Sequence, residues 1–206
     1  MTSPSGAAGG PSVLTTTRLV LRHWRQSDWA PFADLNADPV VMAHFVQPLT
    51  AEQSDAFVRE RIAPHFAQYG YGLWAVERRD TEAFIGCVGL CWQDFPAPFT
   101  PALEIGWRLA VSQWGRGFAT EAAVAAMDFG FTNTTVNEIV SMTSPDNSAS
   151  RAVMERLHMH RDPADDFDHP RVPAGHRLKR HVLYRITRNE WIARRREAGP
   201  SESEPS

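Results

Sequence analysis

Lysine, cysteine and long apolar runs are scarce in this chain of 206 residues, and each shortage excludes a class of protein. All but one of the 21 basic residues are arginine, so a mechanism that needs a lysine, such as a Schiff base or a P-loop, has only Lys179. Two cysteines, Cys87 and Cys91, are too few for a disulfide scaffold or a four-cysteine zinc site. No uncharged apolar run approaches the ~18 residues that span a bilayer, so no membrane partner is expected.

The composition is that of a globular protein, with 43% hydrophobic and 22% charged residues. The length favours one domain, predicted at residues 13–196. Residues 1–12 are rich in Gly, Ser, Ala and Pro and are predicted to form a disordered lead, and residues 197–206 a disordered tail. The N-terminus lacks a cationic region followed by an apolar core, so the expected location is cytoplasmic.

The net charge of −3 conceals a basic segment near the C-terminus. Residues 171–196 hold nine of the 21 basic residues and a single acid, Glu190. Such a segment can contact nucleic acid or an acidic partner. No base-reading helix or stacking motif accompanies the charge, so we favour a solvated last strand and helix, and nucleic acid is not the expected partner.

Alternating and helical spacings together predict a mixed sheet with helices packed on its faces. Strands are predicted at Arg18–Trp24, Leu73–Glu77, Phe84–Trp92, Leu103–Ala110, Glu138–Thr143 and His181–Thr187. Helices are predicted after a cap at Ser27 or Asp28, after a capping box of Thr50 with Gln53, and over Thr120–Phe131, Ala149–Leu157 and Glu190–Arg196.

Two glycines directly before a predicted helix indicate an anion site. Gly115 and Gly117 can adopt positive φ and let a ligand approach the backbone closely. The first N–H groups of the following helix lack internal partners and lie at the positive end of its dipole, which suits a pyrophosphate. A Rossmann fingerprint needs a third glycine and a P-loop needs Gly-Lys-Ser/Thr, and this turn has neither.

The same turn resembles the acetyl-CoA loop of the GNAT N-acetyltransferase superfamily. Trp114-Gly-Arg-Gly-Phe-Ala119 matches the end of that loop, and Trp114 replaces the usual Gln or Arg. This replacement is typical of the branch that resembles the RimJ/RimL ribosomal-protein acetyltransferases. Three more segments resemble that branch in the same order along the chain: Thr17–Arg22, Ile85–Leu90 and Asn147–Ser150.

The resemblance implies a GNAT fold of the α/β (α+β) class, with a central mixed, mostly antiparallel sheet of about six to seven strands. The fourth and fifth strands would splay apart and admit the pantetheine arm of acetyl-CoA, the co-substrate, and no metal is implied. The implied reaction is direct acetyl transfer to a primary amine of a protein N-terminus or a small metabolite. By analogy, a homodimer is possible.

The resemblance also assigns site residues. The pyrophosphate would lie on the backbone of seven consecutive residues: Trp114, Gly115, Arg116, Gly117, Phe118, Ala119 and Thr120. The pantetheine arm would be bound by residues of the fourth strand and of the Asn147–Ser150 motif: Ile105, Trp107, Leu109 and Asn147.

Two residues are candidates for proton transfer. Glu104 would act as the general base, because a carboxylate in a partly apolar cleft has a raised pKa. Many superfamily members use a tyrosine as the general acid, but Met154 stands at that position here. Ser150 is therefore the candidate acid. The alternative function is a non-catalytic acyl-CoA-binding module of the same fold.

Overall fold

The computed structural model describes residues 13–197, so the predicted disordered lead, and all of the predicted tail except its first residue, lie outside the described part. It contains a nine-stranded sheet. The strands are β1 (Leu14–Thr15), β2 (Leu19–Arg22), β3 (Leu73–Arg78), β4 (Phe84–Gln93), β5 (Ala102–Leu109), β6 (Glu138–Thr143), β7 (His160–Arg161), β8 (Phe167–Asp168) and β9 (Arg180–Thr187). Three of these are two-residue strands, and the six longer ones coincide with the predicted strands.

Six α-helices accompany the sheet in the described part of the chain. They are α1 (Trp29–Ala37), α2 (Ala51–Phe57), α3 (Ala63–Tyr69), α4 (Phe118–Asn133), α5 (Ser148–Arg156) and α6 (Arg188–Glu197). A π-helical turn at Val58–Ile62 joins α2 to α3. It ends two residues before Pro64, whose missing N–H removes one α-helical hydrogen bond. The predicted capping box is confirmed: Thr50 Oγ1 accepts from the N–H of Gln53, and the Gln53 amide accepts from the N–H of Thr50.

The strand order is β1-β2-β3-β4-β5-β6-β9-β7, and β8 pairs with β9. Every pairing is antiparallel except that of β5 with β6, which is parallel because α4 forms a crossover between them. The predicted mixed, mostly antiparallel sheet flanked by helices is thus confirmed.

Small residues let α4 pack closely on the sheet. Ala122, Ala123 and Ala126 are fully buried. At Gly130 a Cβ atom would lie 2.7 Å from a methyl group of Leu90 on β4, so a larger residue there would push the helix away. This close contact sets the distance between the C-terminal half of α4 and the sheet.

Asp28 stands at the predicted cap position of the first helix, but its side chain makes no capping hydrogen bond to α1. Neither Ser27 nor Asp28 caps α1 with its side chain, and these residues form a 3₁₀ turn instead. The buried Asp28 carboxylate accepts two hydrogen bonds from Arg22, at 2.7 and 2.8 Å. Arg22 also donates to Glu77 on β3 at 2.7 Å. A tertiary ion pair therefore takes the side chain that the local rule assigned to a helix end.

No helix in the range 13–197 is both long and apolar enough to cross a membrane.

Replacing Asp28 by Ala should destabilise the fold, because it removes the buried carboxylate that shares Arg22 with Glu77. Losing one partner of a buried ion pair costs about 3 kcal/mol in the free energy of unfolding. Urea unfolding followed by circular dichroism measures this change. The control is Arg25→Ala, which removes an exposed partner of Glu77 and should cost less than about 1 kcal/mol. Equal losses in the two variants would contradict the assignment.

Candidate active-site cleft

A cleft of about 1550 Å³ opens where β5 and β6 separate. The two strands pair at only two positions, Leu103 with Ile139 and Glu104 with Val140. Just beyond this pairing the Ser141 hydroxyl donates to the carbonyl of Ile105 at 2.9 Å. From there the strands diverge, so one edge of β5 has no strand partner. This is the splay that the resemblance implied.

The backbone groups of alternate β5 residues face this gap. Because the Ile105 carbonyl points toward β6, the N–H and C=O groups of Trp107 and Leu109 point the same way. The Leu109 carbonyl accepts from the indole N–H of Trp114 at 2.8 Å. An extended ligand can therefore add to β5 along Ile105, Trp107 and Leu109, the three residues predicted for the pantetheine arm, and all three line the cleft.

The glycine turn lies at the end of this open edge. Gly115 and Gly117 have φ values of 72° and 79°, and α4 begins directly after them at Phe118. The first N–H groups of α4 have no partner within the helix and point out of its positive end. Of the seven predicted loop residues, six line the cleft: Trp114, Gly115, Gly117, Phe118, Ala119 and Thr120. Arg116 is exposed and does not line it.

An ion pair between Glu121 on α4 and Arg18, in the turn between β1 and β2, stabilises the glycine turn, and it was not predicted from the sequence. The Arg18 guanidinium donates to Glu121 at 2.6 Å and to the carbonyl of Arg116 at 3.0 Å. Thr16 also donates to Glu121, at 2.6 Å, and Arg18 lies 4.6 Å from the ring centroid of Phe118. The partners are more than 95 residues apart in sequence, so no local pattern indicated them.

Glu104 lies at the apex of the splay, half-buried. Its carboxylate accepts from the side-chain amide of Gln93 on β4 at 2.6 Å. Burial raises the pKa of Glu104 to about 7, against the opposing effects of Gln93, the N–H of Met142 and the charge of Arg171. A carboxyl group with this pKa can exchange a proton near neutral pH, as the candidate base requires.

Ser150 lies across the gap from β5, at the start of α5. Its hydroxyl oxygen accepts from the Trp107 indole N–H at 3.3 Å, so its own hydrogen is available to a ligand. Asn147 caps α5 by accepting from the N–H of Ser150 at 3.1 Å, and it donates to Thr143 at 2.8 Å. Both ends of the Asn147 amide are thus engaged within the protein. Met154 is buried one helical turn further, and its side chain has no proton to donate.

The basic C-terminal segment is largely paired within the described fold. Arg185 contacts Glu138 and Asp165, and Arg188 donates to backbone carbonyls, including that of Val136 at 2.6 Å. Lys179 donates to the carbonyl of His169 at 2.9 Å. Carboxylates therefore neutralise Arg185, whereas Arg188 and Lys179 keep their charge and are held by backbone carbonyls.

Two histidines of the segment, His169 and His181, line the cleft with ring centroids 4.9 Å apart. Burial, followed by the charges of His181, Arg171 and Lys179, lowers the pKa of His169 to about 4, so this ring is neutral at pH 7. Across residues 13–197, no group of three or more His, Cys, Asp or Glu side chains is placed to hold a metal ion.

The acetyltransferase (GNAT) domain model matches residues 18–160. The chain belongs to the GNAT family. A relative from Bacillus subtilis (strain 168), "Uncharacterized N-acetyltransferase YnaD", is 27% identical over 179 residues, which cover 86% of this chain and 98% of the relative. The finer placement in a RimJ/RimL-like branch stays a prediction.

Two solved structures share this fold with CoA bound. RimL, described as a ribosomal L7/L12 alpha-N-protein acetyltransferase in complex with coenzyme A, superposes with a TM-score of 0.68 at 18% identity, covering 85% of this chain and 98% of RimL. Spermidine N-acetyltransferase from Vibrio cholerae, in complex with CoA and spermine, superposes with a TM-score of 0.67 at 17% identity, covering 86% and 99%. At these identities the likeness establishes the fold.

Replacing Glu104 by Gln should change how stability depends on pH. Because the pKa of Glu104 is raised, the folded wild type binds more protons than the unfolded chain between about pH 4.5 and 7, and it loses stability as pH rises. Each pH unit in that window costs about 1.4 kcal/mol, or roughly 3–4 kcal/mol in all, and E104Q lacks this loss. Urea unfolding at pH 5 and pH 7.5 measures the difference. A difference between E104Q and wild type that does not vary with pH would contradict the raised pKa.

Proposed function

We propose that this GNAT protein is an N-acetyltransferase that uses acetyl-CoA as donor and transfers the acetyl group directly to a primary amine. The observation that carries the proposal is the continuous path from the open edge of β5 to the start of α4. Along it, backbone groups without a strand partner lead from Glu104 to the exposed N–H groups beside Gly115 and Gly117. The path combines an edge for an extended arm with a cradle for a pyrophosphate.

Glu104 acts on the amine in this proposal. An amine is protonated at neutral pH and must lose a proton before its lone pair attacks the thioester carbonyl. With a pKa of about 7, the Glu104 carboxylate takes that proton directly or through one water molecule. The N–H of Trp107, which faces the gap, stabilises the charge that develops on the carbonyl oxygen.

Ser150 acts on the leaving group. When the tetrahedral intermediate collapses, the carbon–sulfur bond breaks and the thiolate takes up a proton. The Ser150 hydroxyl is oriented for this step because its oxygen already accepts from Trp107 and its hydrogen is free. The nearby Met154 cannot do this, and a protein with no working acid would bind an acyl-CoA without turnover. That is the alternative function.

The acceptor is a protein N-terminus or a small amine. RimL acetylates the first and the V. cholerae enzyme the second, by their descriptions, so the shared fold permits both. Both were solved with CoA bound, which supports acyl-CoA as donor. A homodimer and a cytoplasmic location stay predictions.

Acetyl-CoA should bind the wild-type protein and not Gly117→Glu, because the new carboxylate would lie in the pyrophosphate cradle. Isothermal titration calorimetry should show a micromolar Kd that is weakened at least 100-fold. Gly175→Glu is the matched control, since Gly175 also has positive φ (74°) and open space around it but lies outside the cleft. Absence of binding to the wild type would overturn the cradle and the proposed function.

Turnover should depend on pH through Glu104. The value of kcat/KM should rise with pH to a plateau above about pH 7, as the carboxylate loses its proton. In Glu104→Gln this limb should disappear and the rate should fall by about 10²–10³. Ser150→Ala should lower kcat while leaving the Kd for acetyl-CoA unchanged. Acetyl-CoA binding without turnover of any amine would favour the non-catalytic alternative.

A further inference from the structure

Arg108, on the floor of the cleft, is a half-buried cation with no acidic partner. Within residues 13–197 no carboxylate lies within ion-pair distance of it, and its one hydrogen bond runs from Nη1 to the side-chain oxygen of Asn36 at 2.5 Å. Its Nε is buried and has no acceptor. Buried charges in proteins are normally paired, so this arrangement calls for an external anion.

Aromatic rings hold the guanidinium in place. The ring centroid of Phe45 lies 4.2 Å from it, and those of Phe57 and Phe32 lie at 5.5 and 5.8 Å. Burial lowers the pKa of Arg108, yet a guanidinium remains charged at neutral pH. The aromatic rings hold the N–H donors of the guanidinium in position without neutralising its positive charge.

Arg108 shares its face of β5 with Glu104, and the space between them is open. Side chains alternate along a strand, so Glu104, Gly106 and Arg108 project from the same face, with about 13 Å between the first and last Cα atoms. A Cβ atom built on Gly106 would meet nothing within 4 Å. A small molecule can therefore lie over Gly106 between the carboxyl group and the guanidinium.

This face is opposite the one that the donor phosphates would occupy. Arg108 reaches Asn36 on α1, whereas Trp107, its neighbour, reaches Ser150 on α5. α4 packs on the same face as α5, through the contact of Gly130 with Leu90, which pairs with Ile105. The anion that Arg108 receives thus belongs to the acceptor and not to CoA.

The geometry points to an acceptor that carries a carboxylate: a small amino acid whose amine lies beside Glu104 and whose carboxylate binds Arg108. This inference rests on the proposed function and adds the class of substrate. The cleft favours such a molecule over a polyamine, because the further ammonium groups of a polyamine would need carboxylates beside them. The acidic residues that line the cleft besides Glu104 are Glu60 and Asp94. Both are exposed, and Asp94 contacts Arg171.

Matched pairs of acceptors test the substrate class. Glycine, β-alanine and 4-aminobutyrate are compared with glycinamide and butylamine, and spermidine is included, with released CoA thiol as the readout. For at least one amino acid, kcat/KM should exceed that of its counterpart without a carboxylate and that of spermidine at least tenfold. Turnover of glycinamide, butylamine or spermidine at an equal or higher rate would overturn the inference.

Two variants test Arg108 itself. Asn36→Asp keeps a hydrogen-bond acceptor beside Nη1 but supplies an internal carboxylate, so it should raise KM for the amino acid at least tenfold with the fold intact. A purely structural Arg108 would leave that KM unchanged. Arg108→Gln, with its urea midpoint measured, should raise KM similarly. The charge-matched control is Arg59→Gln, since Arg59 is exposed and lies outside the cleft lining.

The outcomes separate this inference from the proposed function. If the wild type fails to bind acetyl-CoA in calorimetry, the proposed function is wrong and this inference falls with it. If acetyl-CoA binds and amines are acetylated without regard to a carboxylate, or Asn36→Asp leaves KM unchanged, this inference alone is wrong.

Discussion

The brevity of the parallel pairing between β5 and β6 is the constraint on which the cleft depends. α4 brings the two strands side by side, but they share only two paired positions before each follows its antiparallel neighbour, β4 or β9. The Ser141 hydroxyl closes the apex of the gap. The cleft and the open backbone edge of β5 exist because β5 and β6 do not pair beyond this point.

Polar anchors from the first strands stabilise the surroundings of this gap. Arg18 and Glu121 join the turn before α4 to β2, and Arg22 with Asp28 joins β2 to the segment that leads into α1. The two anchors lie at opposite faces of the sheet. Short strands at one edge therefore hold both the α4 side and the α1 side of the cleft in place.

Local patterns predicted most of the fold and part of the site. The glycine turn, the capping box of Thr50 and the six longer strands follow from short-range spacing, and Glu104 and Ser150 followed from family resemblance. Asp28 stands at the predicted cap position, but Arg22 and the N–H of Arg25 occupy its carboxylate, so it does not cap α1. The pairing of Trp107 with Ser150 depends on how the strands diverge, which spacing does not encode. No sequence pattern singled out Arg108, because its lack of an acidic partner is a property of the packed structure.

Two thiols form part of the floor of the cleft, and their ionisation bears on how acyl groups travel through it. Cys91 pairs with Glu104 and Cys87 with Arg108 across β4 and β5. Burial raises the pKa of Cys91 to about 12 and that of Cys87 to about 11. A thiol attacks a thioester as its thiolate, which is nearly absent at these values. Both thiols are therefore protonated at neutral pH, which disfavours their acylation by a thioester bound in the cleft.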